Sequence, residues 1–260
     1  LMIIDSEYRL VKDSLMKLYK EDVASESILS KKIPKSAINS SVKCSSSYLE
    51  KAKDISGIYY RGLPLNSREH YLQQEYELTD AFNELKSTVS RDLDGFHVVQ
   101  LPNPDFVSFT EFKDLVNNMS SVSAFELIPS WHGHRSTYDK YSPYIELVRE
   151  MSLPLCLEVD HFFRKSKDDV AGFFALAEQY PTIMYWLPHF GCGIFLYWDR
   201  IMSILKHPPL LLSSVPKSLD WFEYFNSKAC ENIPIAFASH HPFNDGKSLE
   251  LYSKWNEIKR

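Results

Sequence analysis

The sequence predicts an α/β fold, a single (β/α)8 barrel of the TIM type that spans residues 1–260. From about residue 109 onward, helical patterns alternate with short apolar runs, which indicates a parallel sheet. The runs are nearly continuous rather than alternating, as is typical of strands buried on both faces. At 260 residues with 44% hydrophobic residues, the chain is long enough for the core of one such barrel, and no linker divides it.

The elements of the second half are clearly marked. The predicted strands there are 124–129, 154–159, 182–188, 209–214 and 234–239, and the predicted helices are 109–118, 141–151, 168–179, 195–205, 217–228 and 246–258. Pro154, Pro181 and Pro234 stand just before or at the start of a strand, where a missing backbone N–H costs little. The pattern therefore predicts a regular βα succession.

The first half is less regular. Its predicted strands are a short run from Ile3 to Asp5, 57–60 and 96–99, and its predicted helices are 11–20 and 70–91. Residues 24–47 contain nine serines and predict a loop. We therefore expect an irregular or inserted first half, in which one early apolar run is an insertion, an edge strand or not a strand.

Composition excludes several classes of partner. The formal net charge of −5 argues against a nucleic-acid-binding or anionic-membrane surface, which needs concentrated positive charge. No apolar run of membrane-spanning length and no signal peptide is recognisable, which predicts a cytoplasmic protein with no membrane partner. The four cysteines have no CxxC spacing, so we interpret them as reduced thiols.

Polar and titratable residues cluster where the predicted strands end. Glu126, Glu158 and His189 follow or close three of the apolar runs, and His240 with His241 follows the last. A parallel βα barrel holds its substrate at the C-terminal ends of its strands. The sequence therefore predicts a site at this mouth.

The same segments resemble the amidohydrolase-related family, in the branch of aminocarboxymuconate-semialdehyde decarboxylase. Segments 125–133 and 153–158 look like the central βαβ unit of that family, which reads Lys-Leu-His-Pro-Ser, a helix, then Pro-Val-Leu-Ile-His. Segment 180–191 resembles its next strand, which ends in His-x-Gly, and segment 235–243 resembles its last strand. The resemblance implies a metal-dependent-hydrolase-like barrel; residues 11–119 match in outline.

The resemblance also implies a metal site whose ligands this sequence has mostly replaced. The first-strand histidines of the family fall on Glu7 and Arg9, its fifth-strand histidine on Glu158, and its final aspartate on His240. The sixth-strand histidine is kept as His189. Because a guanidinium is permanently cationic, Arg9 cannot ligate a metal and would be repelled by one.

Three interpretations of this site remain open. In the first, the metal is absent, Arg9 fills its space and pairs with Glu7 or Glu158, and the histidines perform acid–base chemistry. In the second, Glu7, Glu158, His189 and His240 hold one divalent ion, zinc, manganese or iron, and Arg9 points away. In the third, the barrel is non-catalytic and serves as a binding or assembly subunit.

The leading hypothesis is the first, a divergent enzyme that hydrolyses or decarboxylates a small anionic substrate without a cofactor. Its catalytic residues would be Glu158, His189 and His240. Its candidate substrate-binding residues are Arg9, which would hold a carboxylate or phosphate, together with Glu7, His132, His134 and His241. His132 and His134 could equally be ordinary polar loop residues, and a homo-oligomer is compatible with the sequence.

Overall fold

One parallel sheet organises the described part of the molecule. The computed structural model describes residues 3–10, 17–18, 21, 48–89, 91–133, 138–159, 167–213, 234–238, 250, 252–254 and 257. Eight strands within these ranges pair in parallel in sequence order, from β1 to β8. Because β8 lies against β1, the sheet nearly closes into a barrel, which confirms the predicted (β/α)8 fold.

The strands are β1 (Ile3–Arg9), β2 (Ile55–Arg61), β3 (Asp94–Gln100), β4 (Ala124–Leu127), β5 (Leu155–Leu157), β6 (Tyr185–Leu187), β7 (Leu210–Ser213) and β8 (Ile235–Phe237). The helices are α1 (Arg68–Thr88), α2 (Phe109–Asn118), α3 (Ser142–Glu150), α4 (Lys167–Gln179) and α5 (Trp198–Ile204), with 3-10 helices at Pro129–His132, Asp139–Tyr141 and Pro188–Tyr197. All three early apolar runs are barrel strands, so the expected insertion among them is wrong. The predicted loop 24–47, helix 217–228 and most of the predicted helices 11–20 and 246–258 lie outside the described residues.

Two of the helices begin where a serine side chain accepts a hydrogen bond from a backbone N–H of the first turn. Ser67 accepts a hydrogen bond from the backbone N–H of His70 at the start of α1. Ser108 and Glu111 form a reciprocal capping box at the start of α2. No helix among the described residues is long and apolar enough to cross a membrane.

The two faces of the strands serve different cores. Phe125 and Leu127 of β4 point outward into the core between sheet and helices, where Phe125 contacts Phe112 of α2 with ring centroids 6.1 Å apart. Glu126, which stands between them in sequence, faces the barrel interior, since side chains alternate along a strand. Tyr59 of β2 meets Trp186 of β6 at 4.8 Å, a contact that crosses the barrel because these strands are not neighbours.

Candidate active site

Four polar side chains converge inside the barrel, and we call them the arginine–glutamate cluster: Arg9, Arg61, Gln100 and Glu126. Arg9 donates to both carboxylate oxygens of Glu126, from Nη1 to Oε2 at 3.0 Å and from Nη2 to Oε1 at 3.1 Å. Arg61 Nη1 donates to Oε1 at 2.5 Å, and Gln100 Nε2 donates to Oε2 at 2.9 Å. One carboxylate thus binds donors from β1, β2 and β3.

The cluster is excluded from solvent. Its members are exposed by 6% or less, with Arg61 at 0% and Glu126 at 1%. Buried charges of this kind need partners, because desolvating an ion costs several kcal/mol that mutual attraction must offset. The two guanidiniums and the carboxylate are therefore mutually dependent, and the donors from three strands hold them in place.

A glycine carbonyl completes the cluster. The carbonyl oxygen of Gly62 accepts from Arg9 Nη1 at 2.9 Å and from Gln100 Nε2 at 3.2 Å. A Cβ at Gly62 would lie 2.2 Å from the side chain of Gln74, whose amide binds both the N–H and the carbonyl of Leu63 at 2.9 and 2.7 Å. The close approach of α1 to this loop explains the glycine.

Glu158 and His189 form a carboxylate–imidazole pair at the mouth. Glu158 Oε1 lies 3.6 Å from His189 Nε2, and the two side chains are only 9% and 6% exposed. Glu158 directly follows β5, and His189 comes two residues after β6. The structure therefore brings together two of the three residues predicted to be catalytic.

The backbone of His189 is in the left-handed region, with φ of 53°. A non-glycine residue in this region is uncommon, and such strain costs about 1–3 kcal/mol that the surrounding structure must offset. Two residues later Gly191 also has positive φ, at 64°. The chain therefore bends sharply after β6, and this bend presents the imidazole to Glu158.

The pair stands one layer above the arginine–glutamate cluster. Arg61 Nη1 donates to Cys156 Sγ at 3.3 Å across the barrel. Glu158 comes two residues after Cys156, just past the end of β5, and extended backbone separates two such residues on one face by about 7 Å. The guanidiniums thus lie beneath the Glu158–His189 pair.

The structure adds a partner of Arg9 that the sequence interpretation did not name. That interpretation paired Arg9 with Glu7 or Glu158, and the described carboxylate that Arg9 binds is that of Glu126 in β4. Sequence reasoning placed Glu126 at a strand end but missed this role, and it missed Arg61 and Gln100 altogether. The usable signal was a charged residue inside an otherwise apolar strand, because a buried carboxylate requires a cationic or hydrogen-bonding partner.

Of the other predicted site residues, only His132 has its side chain in the described part of the structure. His132 lies at the end of the 3-10 helix after β4, with Nδ1 2.6 Å from the hydroxyl of Tyr141. Glu7 belongs to β1, but its side chain lies outside the described part of the structure, as do His134, His240 and His241. Their predicted roles remain predictions.

Another buried ionisable pair lies on the outer face of the barrel. His97 Nε2 of β3 is 3.4 Å from Glu75 Oε2 of α1, with side chains 2% and 0% exposed. Burial raises the pKa of the Glu75 carboxyl, and His97 partly opposes this. Tyr60 stacks on the His97 ring at 5.1 Å, so this pair fastens α1 to the sheet rather than facing the mouth.

The described donors alone do not make up a site for the divalent metal that the family resemblance implies. Among the residues that the structure describes, no three His, Cys, Asp or Glu side chains are grouped to hold an ion. Glu158 and His189 supply two donors, and two guanidiniums are fixed in the layer below them. The positive charge of these guanidiniums opposes the binding of a metal cation next to them.

Solved structures share this architecture. A crystal structure of an amidohydrolase II matches with a TM-score of 0.66 and 12% sequence identity, covering 99% of this chain and 92% of that one. The 5-carboxyvanillate decarboxylase from Sphingomonas paucimobilis matches with a TM-score of 0.67 and 12% identity, covering 98% and 92%. No protein-family model and no curated protein matches the sequence. At this identity, the likeness confirms the predicted resemblance at the level of the fold.

Proposed function

We propose that this chain is an amidohydrolase-like enzyme that hydrolyses or decarboxylates a small anionic substrate at a metal-free acid–base site. The observation that carries the proposal is the contact of Glu158 with His189, 3.6 Å apart at the ends of β5 and β6. A carboxylate beside an imidazole can take up and release protons near neutral pH. This end of a βα barrel is also where such enzymes bind substrate.

The pair can serve either reaction. In hydrolysis, His189 would take a proton from the attacking water and give it to the leaving group, while Glu158 stabilises the imidazolium. In decarboxylation, the electrons of the broken C–C bond stay on the substrate carbon, and the His189 imidazolium protonates that carbon as carbon dioxide leaves. His240 is assigned as a further acid–base group in the same proposal.

The guanidiniums would attract the substrate through charge. The Nη atoms of Arg9 already donate to Glu126 and Gly62, which argues for a permanent positive charge beneath the pair rather than for a direct bidentate anchor. Such a charge in a low-dielectric interior favours an anion at the mouth. Glu7, His134 and His241 remain candidate substrate-binding residues.

Turnover by the wild type, compared with that by Glu158→Gln, tests the proposal. We would screen small aliphatic and aromatic carboxylic acids for carbon dioxide release, and carboxylate-bearing amides and esters for hydrolysis. We expect at least one compound to be turned over by the wild type and not by the variant, because the amide keeps the shape of the side chain but cannot stabilise an imidazolium. Equal turnover by the two proteins would identify a contaminant and contradict the proposal.

A binding or assembly subunit is the second candidate. It is favoured by one observation: two guanidiniums and the carboxylate that binds both of them occupy the barrel interior next to the mouth. A screen in which compounds bind near His189 but none is turned over would support this candidate against the enzyme.

Metal content tests the alternative site of Glu7, Glu158, His189 and His240. We expect protein purified without chelators, from medium supplied with zinc, manganese and iron, to carry far less than one ion per chain, because the guanidiniums repel a cation. Elemental analysis by mass spectrometry measures this. One ion per chain that is lost in Glu158→Gln would establish the metal-dependent alternative.

A further inference from the structure

A buried tyrosine holds the imidazole of His132. Nδ1 of His132 lies 2.6 Å from the hydroxyl of Tyr141, and the two rings stack with centroids 5.8 Å apart. Tyr141 is fully buried just before α3, whereas His132 is partly exposed after β4. The imidazole therefore has a buried partner at Nδ1, and the residue that carries it is partly exposed in the loop after β4.

The loop that carries His132 is anchored to its neighbours. Asn66, which follows β2, donates to the carbonyl of Trp131 at 2.7 Å. Asn103, which follows β3, donates to the side chain of Asn66 at 3.2 Å. These loops all lie at the C-terminal ends of their strands, and both asparagines are buried. Hydrogen bonds to the loops after β2 and β3 thus hold the loop that carries His132 in place at the mouth.

The geometry indicates which atom donates between the two rings. A separation of 2.6 Å is short for an N–H donor but ordinary for a hydroxyl donor. Burial raises the pKa of Tyr141 well above its usual range, so the hydroxyl keeps its proton and can donate. A neutral imidazole that accepts at Nδ1 carries its hydrogen on Nε2.

We propose that Tyr141 is a positioning residue that holds His132 as the Nε2–H tautomer, and that this N–H donates a hydrogen bond to a carboxylate or other oxyanion at the mouth. No proton is transferred in this contact. The tautomer is independent of any activity, whereas the identification of the anion as substrate rests on the proposed function.

Nitrogen-15 NMR of the histidine rings tests the tautomer. In the wild type we expect the Nδ1 of His132 to be unprotonated and its Nε2 to be protonated, with the signals assigned by their loss in His132→Ala. Tyr141→Phe should convert this single tautomer into a mixture. Tyr144→Phe is the matched control, because Tyr144 lies in α3, three residues after Tyr141, and its buried hydroxyl donates to the carbonyl of Val107 at 2.6 Å.

Three results of these NMR experiments would each overturn the proposed tautomer. A protonated Nδ1 in the wild type would overturn the proposal even if Tyr141→Phe fails to fold. An unchanged tautomer in folded Tyr141→Phe would overturn it as well, as would an equal change in Tyr144→Phe, since the effect would then be structural.

Benzoate is the probe that tests the second part of the proposal, the hydrogen bond from His132 to an anion. We expect benzoate to shift the Nε2–H signal of His132 in the wild type, and His132→Ala to weaken its binding about tenfold, the usual loss for one hydrogen bond to a charged group. His132→Gln should bind better than His132→Ala, because its amide can donate from nearly the same place. A His132 signal that is unmoved by saturating benzoate would overturn anion binding. Absence of turnover in the substrate screen would instead count against the proposed function and leave these results standing.

Discussion

Replacing Glu126 by alanine is expected to destabilise the barrel by about 3–5 kcal/mol, among the largest effects of any single substitution in this chain. The substitution leaves Arg9 and Arg61 buried without the carboxylate that both of them bind, at 2% and 0% exposure. Two like charges that have lost the carboxylate they share then repel each other in a low-dielectric interior. Chemical denaturation of the wild type and the variant, at equal protein concentration, measures the difference.

Glu146→Ala is the matched control for this experiment. Glu146 pairs with Arg149 on the exposed surface of α3, where the guanidinium lowers the pKa of the carboxyl. Removing this surface pair should hardly change the free energy of unfolding, because solvent screens both charges. A loss at Glu126 as small as that at Glu146 would show that the cluster is not a desolvated ion network.

A third variant separates stability from function in the cluster. Replacing Arg9, Arg61 and Glu126 together by Met, Met and Leu should recover most of the stability that Glu126→Ala loses. Buried ion networks can often be replaced by apolar residues of similar size without a net loss in the free energy of unfolding. The same variant should bind anionic probes more weakly, because both positive charges are gone. Stability that stays low would indicate that the cluster is required for packing.

Replacing His189 by asparagine is expected to lower turnover about 10²- to 10⁴-fold, the usual contribution of a general acid–base group. Asparagine is chosen because it tolerates positive φ better than most residues, and His189 has φ of 53°. The variant should therefore fold as well as the wild type while it lacks the imidazole that contacts Glu158. Steady-state kinetics on the substrate found in the screen measures the loss.

His207→Asn is the control for this loss. His207 is exposed before β7, at the end of the barrel opposite the mouth, and its replacement should leave kcat and KM unchanged. The double variant Glu158→Gln/His189→Asn should lose little more than His189→Asn, because residues that act as a unit give non-additive losses. Full additivity of the two losses, or unchanged turnover in His189→Asn, would remove the pair from the reaction.

Most of the fold was predictable because parallel strands buried on both faces leave a clear apolar signal. The predicted helix 109–118 coincides with α2 (Phe109–Asn118), and every predicted strand has a counterpart in the described sheet. The strand ends were less predictable: β5 extends over Leu155–Leu157 where 154–159 was expected. Apolar composition reports burial, whereas the limits of a strand depend on hydrogen bonds to its neighbours.

Part of the site was also predictable, because it follows from the order of the parallel strands. Glu158 and His189 follow neighbouring parallel strands, so their meeting at one edge follows from the strand order. The left-handed backbone of His189 could not be foreseen, because only a few per cent of non-glycine residues adopt positive φ, even though histidine is enriched among them. The contact between His132 and Tyr141 could not be foreseen either, because their 2.6 Å separation depends on how the loop folds back onto the start of α3.

The sequence by itself determined the parallel barrel and the position of Glu158 and His189 at its mouth, since both follow from local apolar patterns and strand order. The tertiary structure decided that Glu126 binds Arg9. Glu126 lies 117 residues away in sequence and across the barrel, and it meets Arg9 and Arg61 only when β1, β2 and β4 face a common interior. The physical reason is that an ion pair depends on distance and desolvation in space, which spacing along the chain does not specify.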